Sequence, residues 1–92
     1  MQMQIIIDRI LRDEKSNSLT KNQKITIFML ASFMGNQCFC FPSIKELSRV
    51  TSLSKNTCLR TIDELERLNI LYIQRNHRKS NIYTFEDSWV SQ

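Results

Sequence analysis

Glycine and proline are almost missing: the 92 residues hold one of each. A sandwich of many turns needs both, so their scarcity favours helices joined by short connections. A single glycine also rules out a glycine-rich loop cradling a phosphate. There is one histidine, and no carboxylate pair stands in an evident cleft. No catalytic residue is therefore assigned, and the chain is not expected to be an enzyme. No run is long and apolar enough to span a bilayer. The opening "MQMQIIIDRILRDE" lacks a basic leader and has only a very short apolar run, so no secretory signal and no membrane partner are expected. Cysteine is present in an odd number, at Cys38, Cys40 and Cys58. Without a signal peptide that points to a reducing cytoplasm and not to a disulfide scaffold. Structural zinc wants four ligands, and only Cys58 and His77 stand beside the Cys38–Cys40 pair. Those two are read as buried or half-buried strand residues, and Cys58 as a small core residue. No metal and no cofactor are expected.

What is present amounts to one domain, whole or cut from a longer chain, with room for a single modest core. Hydrophobic content is ordinary for a globular protein. The formal charge is +4 and the pI about 9.2, compatible with an anionic partner. The distribution says more than the total. Between Arg67 and Phe85 there is no acid, while Arg75, Arg78 and Lys79 fall there. Lys55 to Arg60 is also free of acid, and Asp63, Glu64 and Glu66 follow in the next turns.

Along the chain, Met3, Ile6, Ile7, Ile10 and Leu11 recur at helical spacing, with Asp8, Arg9 and Arg12 off that stripe. They predict an amphipathic helix over 2–14, although "MQMQI" also alternates like a strand. Two roles stay open for it: packing on its own domain, or pairing with a second copy as a homodimer. A polar link, "KSNS", closes a segment of residues 1–18. Thr20 with Gln23 forms a capping box, so a helix starts at Lys21. "ITIFMLASFM" is apolar nearly all round, as a central helix should be, and Gly35-Asn36 ends it. "CFCF" reads as a short strand leading into Pro42. Ser43 with Glu46 is a second capping box, opening a helix of about two turns whose Ile44, Leu47 and Val50 face inward. Ser54 caps another helix, with Leu53 and Cys58 as its hydrophobic staple and Cys58, Ile62, Leu65 and Leu68 as its stripe. Asn69 suits a left-handed C-terminal position. "ILYIQR" and "NIYTF" then read as strands joined by "NHRKS". Trp89, in a tail over 88–92, packs on the domain or on a partner.

Two helices joined by a three- or four-residue turn form a helix-turn-helix unit, whose second helix protrudes because the first crosses behind it. Such a helix fits the major groove of B-DNA and offers its N-terminal residues to base edges. Here those residues are Ser54, Lys55, Asn56, Thr57, Leu59 and Arg60. Asn pairs bidentately with adenine, Arg or Lys with guanine, and Leu59 meets a thymine methyl. Ser54 and Thr57 sit where free backbone N–H groups suit a phosphate. Arg75, His77, Arg78 and Lys79 at the hairpin tip suit the sugar-phosphate backbone or the minor groove.

Residues 19–85, most of the chain, resemble the winged helix-turn-helix domain of phage, plasmid and bacterial replication and regulatory proteins. The matching features are "PSI-x-x-L", "T-x-L-S-x-x-T", "R-x-x-x-E-L" and "L-x-I-L", then a wing closing on "N-x-Y". The resemblance implies a mainly α fold with a small β-sheet (α+β). It would have three core helices, a two- to three-stranded wing sheet and an extra N-terminal helix, with the domain itself over 19–87. It also implies binding of double-stranded DNA, often as a dimer, with the recognition helix starting at Ser54–Arg60 and the wing at Arg75–Lys79. The sequence departs from the family where Ser52 and Asn69 stand in place of frequent glycines. Asn takes left-handed geometry readily, Ser less so.

The function expected is sequence-specific binding of duplex DNA by a cytoplasmic transcriptional regulator of a bacterium or mobile element. One alternative is the DNA-binding part of a replication initiator. Another is a protein-interaction winged helix without DNA, kept open by Asp63, Glu64 and Glu66.

Overall fold

A computed structural model describes residues 3–13, 18–76 and 78–91. Of the polar link only Ser18 falls among them, and His77 lies outside. The elements in chain order are α1 Met3–Asp13, α2 Lys21–Met34, β1 Phe39–Cys40, α3 Ile44–Thr51, α4 Lys55–Arg67, β2 Leu71–Gln74, β3 Ile82–Phe85 and α5 Asp87–Val90.

The helix starts follow from side chains that complete orphan backbone groups. Thr20 Oγ1 accepts from Gln23 N at 3.1 Å while Gln23 Oε1 accepts from Thr20 N at 3.0 Å. Ser43 and Glu46 repeat the arrangement for α3, at 3.1 and 2.9 Å. Both are reciprocal capping boxes. The helix ends use left-handed backbone. α2 stops at Gly35, φ 57°, a value that glycine adopts without a Cβ clash. α3 stops at Ser52, φ 62°, and the chain leaves α4 through Asn69, φ 58°. Those are the two positions where the resemblance implies glycine, and the backbone keeps the glycine-like geometry at both.

The three strands form one antiparallel sheet in the order β1-β3-β2. Cys40, Tyr83 and Ile73 share a row by register, and Leu71 faces Phe85; all five are buried. The opposite face carries the row Phe39, Thr84 and Tyr72. The inner face joins α2, α3 and α4 in one core built on Ile27, Leu30, Leu47, Cys58 and Leu65. The molecule is a mainly helical winged helix-turn-helix with a small three-stranded sheet.

α1 lies along α2, with Ile6 and Ile10 in the core. Of its two open roles, packing on its own domain is the one seen. The inward line sits one step from where the periodicity put it. Arg9, expected off the stripe, is 5% exposed. Its Nε donates to the Trp89 carbonyl at 2.6 Å, and its guanidinium stands 4.8 Å over the Trp89 ring. Leu11, expected to face inward, is exposed. A line through residues 3, 6, 9 and 10 is a valid i, i+3, i+4 face, and it turns Leu11 away. Trp89 belongs to α5, stacks on Phe85 at 5.8 Å between ring centres and is buried.

Two more expectations fail locally. Leu68 is exposed, because it lies past the last turn of α4, where the chain turns toward Asn69; Thr61 is buried on the face instead. Cys38 is exposed although Cys40 is buried. Strand pairing begins only at Phe39, so Cys38 still sits in the bend after α2. Among the described residues no helix is long and apolar enough to cross a membrane.

Candidate nucleic-acid interface

Three residues, 52–54, separate α3 from α4, the spacing of a helix-turn-helix. Side chains lock this turn. Thr51 Oγ1 donates to Leu47 O at 2.6 Å and accepts from Leu53 N at 3.2 Å. Ser48 Oγ donates to Leu53 O at 2.6 Å. Leu53 packs against the core beside the buried Cys58, as a staple should. α4 is thereby fixed at its first turn, and the left-handed Ser52 sets the change in direction.

Ser54 Oγ accepts from Thr57 N at 3.1 Å and donates to Thr57 Oγ1 at 2.9 Å. The cap is complete without covering the helix start. Ser54, Lys55, Asn56, Leu59 and Arg60 are exposed, with Leu59 at 52%, and Thr57 is half-buried. The inward face consists of Cys58, Thr61, Ile62 and Leu65. Arg60 Nη2 reaches Thr57 Oγ1 at 3.4 Å, a long contact that leaves most of its donors facing water. All six residues singled out on this helix therefore gather at its N-terminal end, five of them exposed.

The hairpin tip divides. Arg78 and Lys79 are exposed. Their loop is shaped by asparagines: Asn76 N donates to Asn81 Oδ1, and Arg78 N donates to Asn76 Oδ1, each at 3.2 Å. Arg75 behaves differently. Its Nη1 and Nη2 grip both oxygens of Glu66 at 2.8 and 2.9 Å. This fork ties the wing to the C-terminal half of α4. The Arg75 donation holds the Glu66 carboxyl below its ordinary range. Nothing is described for His77.

The acids of α4 are all engaged within the chain. Asp63 pairs with Arg67 at 2.9 Å, Glu64 accepts from Gln23 Nε2 at 3.1 Å, and Glu66 holds Arg75. Each of the three sits C-terminal to Arg60, so the exposed start of the helix stays cationic and amide-rich.

Sequence reasoning missed the groove beside the wing. A cleft of about 540 Å³ runs between the start of α3 and the tip, lined by Pro42, Ser43, Ile44, Arg78, Lys79 and Asn81 among others. The signal available was the capping serine after Pro42, which brings a helix start to face the tip.

The profile of the helix-turn-helix domain family matches residues 17–71, more than half of the chain. The chain belongs to this family. Comparisons with curated proteins and with solved structures return no match. The family match covers α2 through α4 and stops where β2 begins, so the wing of this helix-turn-helix domain is seen in the structure and not in the match. Membership makes DNA the expected partner of the α3–α4 unit.

Proposed function

We propose that the chain is a sequence-specific binder of double-stranded DNA and regulates transcription by occupying its site. The observation that supports this best is the start of α4, Ser54 to Arg60, capped, largely exposed and free of acid. Asn56 and Arg60 carry the base-reading chemistry, Lys55 reads guanine or meets a phosphate, and Leu59 meets a thymine methyl. Arg78 and Lys79 grip the backbone. Arg75 contributes by holding the wing against α4 through Glu66. Action by occupancy needs no catalytic group. Free thiols at Cys38, Cys40 and Cys58 suit a cytoplasmic setting.

Gel shifts with random and selected duplexes at 50 and 200 mM salt test this reading. Binding weakens steeply with salt, as release of counterions requires. Asn56→Ala or Arg60→Ala loses about 1–3 kcal/mol on the selected site and relaxes base preference. Arg78→Ala and Lys79→Ala weaken binding to every sequence alike, each lowering the slope of log K against log salt by about 0.9. A salt-independent response, or no binding to any duplex, overturns the proposal and favours a protein partner.

A further inference from the structure

The outer face of the sheet is not used by the duplex reading. Its outward strand positions are Phe39, Tyr72, Gln74, Ile82 and Thr84, none of them charged. Tyr72 is 58% exposed and lies across β3 from Phe39. Two strand spacings separate them, roughly 10 Å. Phe41, 61% exposed, follows β1 and stacks on Phe39 with ring centres 6.3 Å apart. A second groove, of about 240 Å³, runs along Phe33, Phe39, Phe41 and Pro42. Pro42 also lines the cleft that carries Arg78 and Lys79. The cleft carrying Arg78 and Lys79 therefore adjoins, at Pro42, an aromatic shelf: the groove of Phe39 and Phe41, with Tyr72 beyond them across β3.

We infer that this shelf binds single-stranded DNA, with the strand's phosphates in the Arg78–Lys79 cleft and its bases stacked on Phe41, Phe39 and Tyr72. Bases stack on exposed aromatic rings whatever their sequence, while a cationic groove tracks the backbone. The charged residues lining the cleft, Arg78 and Lys79, fit a polyanion. Glu46, which lines the aromatic groove, accepts from the Ser43 backbone N–H and remains a carboxylate. A second copy of the chain fits less well. The four exposed rings, Phe33 included, leave about 400 Å² of aromatic surface in water, about half of what each partner of a standard interface buries. Two copies would also each bring a charge of +4. The cleft shares Arg78 and Lys79 with the proposed duplex surface, so on that reading duplex and single strand compete for the wing tip.

Fluorescence anisotropy of labelled dT15 and of a labelled duplex carrying the selected site, both in 50 mM salt, tests the inference. The full chain is compared with Tyr72→Ala/Phe41→Ala and with Arg60→Ala; the two aromatic positions lie at the surface, and circular dichroism checks that the fold is kept. The double variant is expected to lose at least about tenfold in affinity for dT15, with less than about a twofold change on the duplex. Arg60→Ala is expected to do the reverse. Duplex binding without dT15 binding sinks this inference alone; dT15 binding without duplex binding sinks the duplex proposal alone. An aromatic variant that binds dT15 as tightly as the parent overturns the shelf. So does a concentration-dependent dimer in sedimentation that the same variant abolishes, which would assign the face to a second copy.

Discussion

Replacing Arg9 by alanine should destabilise the fold out of proportion to a helix-surface residue. The side chain is buried, its Nε gives a 2.6 Å hydrogen bond to the Trp89 carbonyl, and its charge lies 4.8 Å above the Trp89 ring. A hydrogen bond from a charged donor contributes about 1.5–3 kcal/mol. A desolvated cation over an indole adds up to about 2 kcal/mol. The two share one geometry and do not simply add, so the expected loss is about 3 kcal/mol. A domain of this size has about 5–15 kcal/mol in total, and the midpoint should fall by about 10–20 °C. Arg9→Lys keeps the charge and the stem but loses the planar fork, and should fall between the two. Arg12→Ala is the control: its exposed guanidinium donates to Val90 O at 3.0 Å, and its removal should shift stability by under about 1 kcal/mol. Urea unfolding followed by circular dichroism and by Trp89 emission measures all three, and coincident transitions verify two-state behaviour. Duplex affinity at 25 °C should not change, because Arg9 pins α1 to α5, away from α4. A loss below about 0.5 kcal/mol for Arg9→Ala would refute the reasoning and make the contact incidental.

Three further outcomes are expected. Thr26→Val should leave stability unchanged or raise it by about 1 kcal/mol, since Thr26 Oγ1 is buried and has no hydrogen-bond partner among the described residues; chemical denaturation reads the change, and a loss of more than 1 kcal/mol would contradict it. N-ethylmaleimide at pH 8 should add one group to the native protein, at the exposed Cys38, and three in urea. Burial pushes the Cys40 thiol up to about 12, so it stays protonated and unreactive; prompt double labelling of the native protein would contradict this. The Glu66 carboxyl is held below its ordinary value of 4.5 by Arg75, so its contribution is present above that value and lost as pH falls through the lower folded one. Being exposed, the pair contributes under about 1 kcal/mol. The difference in urea midpoint between the parent and Glu66→Gln should therefore shrink as the pH is lowered from 6 to 3.

The helix starts were legible because each rests on a local device: Thr20 with Gln23, Ser43 with Glu46, and Ser54 all stand at the starts that the structure shows. The hairpin was equally legible from its β-branched and aromatic run. What escaped was set by partners distant in sequence. Arg9 is buried because Trp89, eighty positions on, presents a ring and a carbonyl to it; no spacing rule on α1 contains that. The same limit hid the pairing of Arg75 with Glu66, nine residues apart on different elements. The six residues at the start of α4 could be placed together from the sequence because a capped helix start is a local property. The cleft between α3 and the wing was missed because two separate segments create it.

The wing and the helix are coupled by that missed pair, and the coupling decides how charge is presented. A free Glu66 would set a carboxylate on the helix meant for a polyanion. Taken up by Arg75, it becomes neutral in effect and holds the hairpin in register with α4. Asp63 pairs in the same way with Arg67 at the surface, while Glu64 accepts from the neutral Gln23 amide and keeps its charge. Each of the acids that kept a protein partner in consideration thus has a partner within the chain. Lys55, Arg60, Arg78 and Lys79 are left as exposed cations on the helix start and the wing tip. With Asp63 and Glu66 paired to arginines and these four cations exposed, the start of α4 and the wing tip present positive charge, which favours the approach of a polyanion.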